Sequence, residues 1–148
     1  MKKNSFTLIE ILIFTSILSI FFIASLTVVV FFLKNYKTQQ YKIVATHLLE
    51  EAYEWIKYEK ESDWSNFTSF DINAGLGTTY CLTDLLINNP NNCLDTDVIG
   101  SPPIFKRELL IKNLDSPTTK VEVTITVSWN EINGQNQIYS KQILSILE

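Results

Sequence analysis

Residues 2–37 read KKNSFTLIEILIFTSILSIFFIASLTVVVFFLKNYK, and they decide the fold. The stretch 11–33 contains 23 residues without a single charge. At about 1.5 Å per residue, a helix over this stretch is about 35 Å long, enough to cross a hydrocarbon core of about 30 Å. One carboxylate, Glu10, stands at its head, where burial in lipid is costly and ionisable groups are usually functional. The sequence therefore predicts a membrane-spanning helix with a functional carboxylate, Glu10, at its start.

The flanking charges predict the orientation of this helix. Lys2 and Lys3 precede the apolar run, and positive residues tend to stay on the cytoplasmic side. The run is longer than the core of a secretory signal, and no A-x-A-like cleavage site follows it. We therefore expect a retained anchor with a cytoplasmic N-terminus and an extracytoplasmic C-terminal part. The simplest interpretation is a plain signal anchor, which leaves Glu10 unexplained.

The helical pattern continues past the apolar run. Between Tyr36 and Glu61 there is no proline or glycine. Apolar residues recur at steps of three and four, which is typical of one buried helix face: Tyr41, Val44, Ala45, Leu48, Ala52, Trp55 and Ile56. We expect one continuous helix from Phe6 to about Lys60, with its second half covering a small domain.

The last third of the chain has the pattern of β-strands. Candidate strands are 107–114, 120–129 and 138–147, and the second alternates strictly between apolar and polar residues. Asn133-Gly134 is a hairpin signal between the last two. We expect an α+β fold in which the long N-terminal α-helix packs against a small C-terminal antiparallel β-sheet of three or four strands.

The stretch 62–103 between helix and sheet has no sustained period and holds both cysteines. Cys81 and Cys93 are separated by eleven residues, a spacing that does not fit a CxxC redox or zinc motif. In an extracytoplasmic domain the simplest interpretation is one disulfide, with two free thiols as the alternative.

Other chemistry-bearing residues give weak signals. The only histidine, His47, has no Cys or carboxylate at ligand spacing, so a solvated or packed helix residue is the better interpretation than a metal ligand. Asp95-x-Asp97-x-x-Gly100 resembles the start of a calcium loop, but Ile99 and Lys106 stand where further oxygen ligands are needed. We predict no metal, no cofactor and no catalytic site. The net charge of −4 and the absence of a Lys/Arg cluster argue against nucleic acid as a partner.

The N-terminal pattern resembles the class III leader of type IV pilins and type II secretion pseudopilins. It combines a basic leader, the small residue Ser5, Phe6, and Glu10 at the fifth position after the leader. The stretches ATHLLEEAYEWIKYEKESDW and Val-Ser-Trp129 are similar to minor pilins and I-type minor pseudopilins. The family usually has Gly before the cleaved bond, and Ser5 departs from this.

The resemblance implies a processing and assembly pathway. Prepilin peptidase would cut between Ser5 and Phe6, and the new amine of Phe6 would be methylated. Glu10 would then pair with the amine of a neighbouring subunit and fix their axial register. Implied partners are other pilin or pseudopilin subunits, the inner-membrane assembly platform and the lipid bilayer.

The resemblance also implies a division of the chain and a location. The division is 1–5 leader, 6–33 transmembrane and assembly half of the helix, 34–61 amphipathic half, 62–103 variable connecting loop with the disulfide, and 104–148 sheet. Before assembly the chain would be a single-pass inner-membrane protein, and afterwards part of an extracytoplasmic or cell-surface filament.

Three functions remain open from the sequence. The first is a minor subunit, near the tip, of a type IV pilus-like filament or of a secretion pseudopilus. The second is a signal-anchored binding domain that does not polymerise. The third is an anchored enzyme, for which no polar constellation is evident.

Overall fold

A computed structural model describes residues 7–73, 76–87, 90–131 and 134–146. Within these residues the chain forms a long helix α1 (Leu8–Ser62), a short helix α2 (Trp64–Ser69) and four strands. The strands are β1 (Thr78–Cys81), β2 (Phe105–Asn113), β3 (Lys120–Glu131) and β4 (Gly134–Ser145). The expected α+β fold is confirmed, because the long helix packs against a four-stranded antiparallel sheet.

The sheet has the order β1-β2-β3-β4, and each strand pairs antiparallel with its neighbour. β2 begins two residues earlier than the sequence indicates, because Phe105 lies opposite Trp129 and their ring centroids are 5.8 Å apart. β4 begins four residues earlier than expected, since Gly134 already lies opposite Glu131. Asn133 and Leu147, parts of the predicted hairpin turn and last strand, lie outside the described residues.

The core lies between one face of the sheet and the second part of α1. Alternate residues of β2 and β3 point inward, as the pleat requires. From α1, Ala52 and Ile56 enter the same cluster and are fully buried, which confirms the predicted stripe. The buried sheet residues of this cluster are Tyr80, Leu109, Ile111, Val121, Val123, Ile125 and Leu144.

Two short elements, α2 and β1, lie in the connecting stretch 62–103, where the sequence predicts a long connection with short pieces of structure. Asp63 caps α2 by accepting a hydrogen bond from the Asn66 amide at 3.0 Å. Trp64 Nε1 donates to the Thr118 carbonyl at 3.1 Å, and Phe67 is buried in the core. Tyr80 of β1 lies opposite Leu109 of β2. Contacts with residues distant in sequence therefore specify α2 and β1, and a local hydrophobic period does not.

The chain divides into two compact units, Met1–Tyr41 and Lys42–Glu148. In the first, the described residues are Thr7 and the first part of α1, which contains the apolar run. In the second, the remainder of α1, α2 and the sheet share one core. Ala45, Ala52 and Ile56 are the buried residues of α1 among those described, and all three belong to the second unit.

Candidate functional site

Glu10 lies in the first turn of α1, where its side chain bonds to its own helix end. Its Oε2 accepts hydrogen bonds from the amide and the hydroxyl of Thr7, both at 3.3 Å. The Thr7 carbonyl in turn accepts the amides of Glu10 at 3.1 Å and Ile11 at 3.3 Å. This is the acidic half of a capping box, which satisfies a donor at the helix start. The signal Thr7-x-x-Glu10 was present in the sequence, and reasoning from charge alone missed it.

The two residues of the predicted cleavage site, Ser5 and Phe6, lie outside the described residues. The described residues begin at Thr7, directly before the first residue of α1. Cleavage between Ser5 and Phe6 and methylation of Phe6 stay predictions.

The apolar run presents its side chains outward on every side. The large apolar side chains from Leu8 to Leu33 are all exposed, and each has at least 39% of its surface accessible. Monomeric soluble proteins rarely expose contiguous apolar surface of more than a few hundred Å². This part of α1 is long and apolar enough to cross a membrane, which is compatible with a membrane anchor.

Hydroxyl groups in the apolar run are satisfied within the helix. Each bonds to a main-chain carbonyl three or four residues earlier, so its polarity is hidden from a surrounding hydrocarbon. These bonds join Thr15 to Leu12, Ser16 to Ile13, Ser19 to Thr15, Ser25 to Phe21 and Thr27 to Ala24, at 2.7–3.0 Å. Glu10, directly before the charge-free stretch 11–33, supplies the one formal charge among the described residues up to Leu33.

The disulfide expected from the sequence is present. Cys81 at the end of β1 is bonded to Cys93, twelve positions later. The amide of Cys93 also donates to Glu108 Oε1 at 2.9 Å, which ties the returning segment to β2. Within the described parts of the chain there is no free cysteine.

The acidic loop after Cys93 uses its carboxylates on protein groups. Asp95 pairs with Lys106 at 2.5 Å, and this hydrogen bond and the positive charge hold the pKa of Asp95 below its ordinary value. Asp97 accepts the amide of Leu94 at 2.9 Å. In the described ranges no group of three or more His, Cys, Asp or Glu is placed to hold a metal ion. His47 is 79% exposed, as a solvated helix residue would be. Glu50, three residues later, lies 4.0 Å away, so one carboxylate does stand near His47, contrary to the sequence interpretation.

A buried arginine is the main feature of the domain that the sequence did not reveal. Arg107 takes an inward-facing position of β2 and is only 3% exposed. It connects three elements, since its Nε donates to the Leu82 carbonyl at 3.1 Å and its Nη1 to the Leu48 carbonyl at 3.0 Å. The Nη1 atom also lies 2.7 Å from Glu51 Oε2. The sequence signal was a basic residue in phase with Phe105, Leu109 and Ile111.

A second polar cluster is buried at the start of β1. Asp71 is 7% exposed and accepts the Asn113 amide at 2.8 Å and the Thr78 hydroxyl at 3.4 Å. Nearby, the Tyr80 hydroxyl donates to the Phe70 carbonyl at 2.6 Å. Burial, and then the negative charge of Asp71, raise the pKa of the Tyr80 hydroxyl above its ordinary value. This cluster holds the chain around the α2–β1 connection.

Comparison with known proteins finds no relationship: no family model, no curated protein and no solved structure matches this chain.

Proposed function

We propose that this protein is a minor structural subunit of a type IV pilus-like filament, assembled through its N-terminal helix. The observation that carries the proposal is the exposed, charge-free stretch 11–33 of α1, preceded by a single acid in the first turn. Such a surface has two stable environments, a lipid bilayer and a bundle of like helices. Among the described residues of the unit Lys42–Glu148 no metal cluster is placed, and a buried polar group such as Asp71 contributes to structural contacts.

The electrostatics of Glu10 support a role between subunits. Cleavage before Phe6 creates an ammonium one residue from Thr7, beside the membrane. In the described part of the chain both hydrogen bonds to Glu10 use Oε2, so Oε1 remains for an ammonium from a neighbour. Either charge alone is costly in hydrocarbon, and a pair reduces that cost. A wrong axial register would leave both charges unpaired, so the pair specifies register.

Two substitutions separate the charge of Glu10 from its capping role. Glu10→Gln keeps an acceptor for Thr7, since Gln also serves in a capping box, but removes the charge. Glu10→Val removes both. If charge pairing drives assembly, both variants insert into the membrane and both lose filament incorporation, measured by cross-linking of sheared filaments and by membrane fractionation.

The alternative is a signal-anchored domain that does not polymerise, and the Thr7–Glu10 contact favours it, because it gives Glu10 a local role. In that case Glu10→Gln behaves as the unchanged protein, and mass spectrometry finds an intact N-terminus. A mature chain that begins at methylated Phe6 supports the filament subunit. A minor pseudopilin of a type II secretion system shares this processing, and co-isolation with secretion components would identify it.

A further inference from the structure

An open depression of about 410 Å³ lies beside Arg107, within the unit Lys42–Glu148. One wall is α1, and the others are the segment after Cys81 and the turn before β2. Its lining residues are Leu48, Glu51, Thr83, Asp84, Leu85, Ile99, Gly100 and Arg107. Both apolar and charged side chains therefore face the same small volume.

Arg107 brings unused donors to this depression. Among the described residues, its hydrogen bonds come from Nε and Nη1 alone. The described residues contain one buried side-chain N or O atom without a partner, and that atom is Asn113 Oδ1. Arg107 Nη2 is therefore within reach of solvent and keeps two N–H donors for an acceptor. A guanidinium that is otherwise fixed on three sides is a preorganised donor.

The backbone next to Arg107 has an unusual conformation. Leu85 lines the depression with a φ of +43°, in the left-handed region that non-glycine residues rarely occupy. Residues in this region cluster at binding sites, where surrounding structure holds them in place. The preceding Leu82 is fully buried and bonded to Arg107, which holds the start of this segment.

The charge of the depression is negative. Glu51 is neutralised by Arg107 at 2.7 Å, whereas Asp84 has no ion pair within the described ranges. An anion placed at Arg107 would be repelled by Asp84 and would compete with Glu51 for the guanidinium. A neutral acceptor at Nη2 together with a cation near Asp84 satisfies every group, and the apolar stem of a basic side chain suits Leu48 and Leu85.

We propose that this depression binds a basic segment of a partner protein. The segment places a main-chain carbonyl against Arg107 Nη2 and a lysine or arginine side chain against Asp84. This recognition is independent of Glu10 and of filament assembly, because every residue involved lies outside the apolar part of α1.

The experiment uses the full chain, isotope-labelled in detergent micelles, and follows amide shifts of Thr83, Leu85 and Gly100. The probe is Nα-acetyl-lysine N-methylamide, which carries two amide carbonyls and one side-chain ammonium. The matched probe is the norleucine derivative, which has the same stem without the charge. We expect saturable shifts with the lysine probe and binding about fivefold weaker with norleucine, the ratio for an exposed ion pair.

Three variants test the assignment. Asp84→Asn should weaken the lysine probe about fivefold and leave the norleucine probe unchanged. Glu54→Gln, an exposed acid of α1 outside the depression, makes the same change in net charge and should have no effect. Arg107→Lys keeps the charge beside Glu51 but removes the fork, so both probes should weaken.

Two results would overturn the proposal. One is the absence of saturable shifts up to about 50 mM probe, above the range of weak specific binding. The other is an equal response of the unchanged chain and Asp84→Asn to the lysine probe. Asp84 is exposed, so its substitution does not threaten folding, and it decides the matter even if Arg107→Lys unfolds.

Discussion

Arg107 is tolerated in the core because its charge and three of its N–H groups are satisfied. The carbonyls of Leu48 and Leu82 come from α1 and from the segment after β1, so one guanidinium connects both to β2. Glu51, its ionic partner, has 55% of its side chain exposed. Water therefore screens much of the ion pair, and the hydrogen bonds to the Leu82 and Leu48 carbonyls contribute more to stability.

Replacement of Arg107 by Met tests this ranking. Met fills the space of the stem but leaves the Leu82 carbonyl without its side-chain donor and removes a second bond from the Leu48 carbonyl, which keeps its helical partner, so the free energy of unfolding should fall by about 2 kcal/mol. Glu51→Gln keeps an acceptor for Nη1 and should cost less than about 1 kcal/mol. Denaturant unfolding in micelles, followed by tryptophan fluorescence, measures both. A larger loss for Glu51→Gln would contradict the ranking.

Tyr80 should make stability depend on alkaline pH. Its pKa is raised above 10.0 in the folded state, first by burial and then by Asp71. A raised pKa means that its contribution is complete below the unfolded value and is lost as pH rises towards the folded value. Below pH 10 the unchanged chain should exceed Tyr80→Phe in stability by about 1 kcal/mol through the Phe70 hydrogen bond.

This difference between the unchanged chain and Tyr80→Phe should shrink above pH 10, because the unfolded tyrosine ionises before the folded one. Parallel unfolding curves at neutral and alkaline pH measure it. A gap that stays constant would show that Tyr80 ionises equally in both states. The comparison cancels the remaining five of the six tyrosines.

At the scale of elements, α1 contributes to the core through a narrow stripe. Ile56 is fully buried, whereas Ile43, on the same helix, is 61% exposed. Ile56→Ala should therefore reduce the free energy of unfolding by about 3 kcal/mol, through lost burial and a residual cavity. Ile43→Ala is the matched control and should change it by less than about 0.5 kcal/mol. Equal effects of the two substitutions would contradict the described packing.

The disulfide stabilises the segment between β1 and β2. Closing a loop with a separation of twelve residues should contribute about 3 kcal/mol in the chain-entropy model. Removal of both cysteines, as Cys81→Ala with Cys93→Ala, should reduce the free energy of unfolding by about this amount. The same loss should appear when the unchanged chain is reduced with dithiothreitol. No change on reduction would mean that the loop is held by other contacts, such as Cys93 to Glu108.

The sequence predicted the elements whose pattern is local. Val121, Val123, Ile125 and Val127 alternate strictly and are buried as expected. β4 was harder, because its inward positions include Asn136, Ser140 and Gln142, and main-chain pairing with β3 extends it beyond its apolar part. α2 and β1 are too short to show a period and depend on distant partners. Arg107 is the first residue of the predicted strand 107–114, and its inward-facing position becomes evident only because β2 already begins at Phe105.

At the scale of the whole molecule, the two units separate two tasks. The described apolar run contributes no buried residue to the core, which lies entirely within Lys42–Glu148. A chain that begins at Lys42 should therefore be water-soluble and fold. Its thermal midpoint should lie within about 5 °C of that of the full chain, equivalent to about 1 kcal/mol in a domain of this size. Aggregation or a molten spectrum of this fragment would mean that the apolar run supports the domain.

The internal bonding of Thr15, Ser16, Ser19, Ser25 and Thr27 has a mechanical consequence. If this part of α1 spans a bilayer, its withdrawal breaks none of these bonds, so the free energy of extraction depends on the apolar area exposed to water and on the single carboxylate of Glu10. The cost would then grow steadily with the apolar length exposed to water, with one added electrostatic contribution from Glu10.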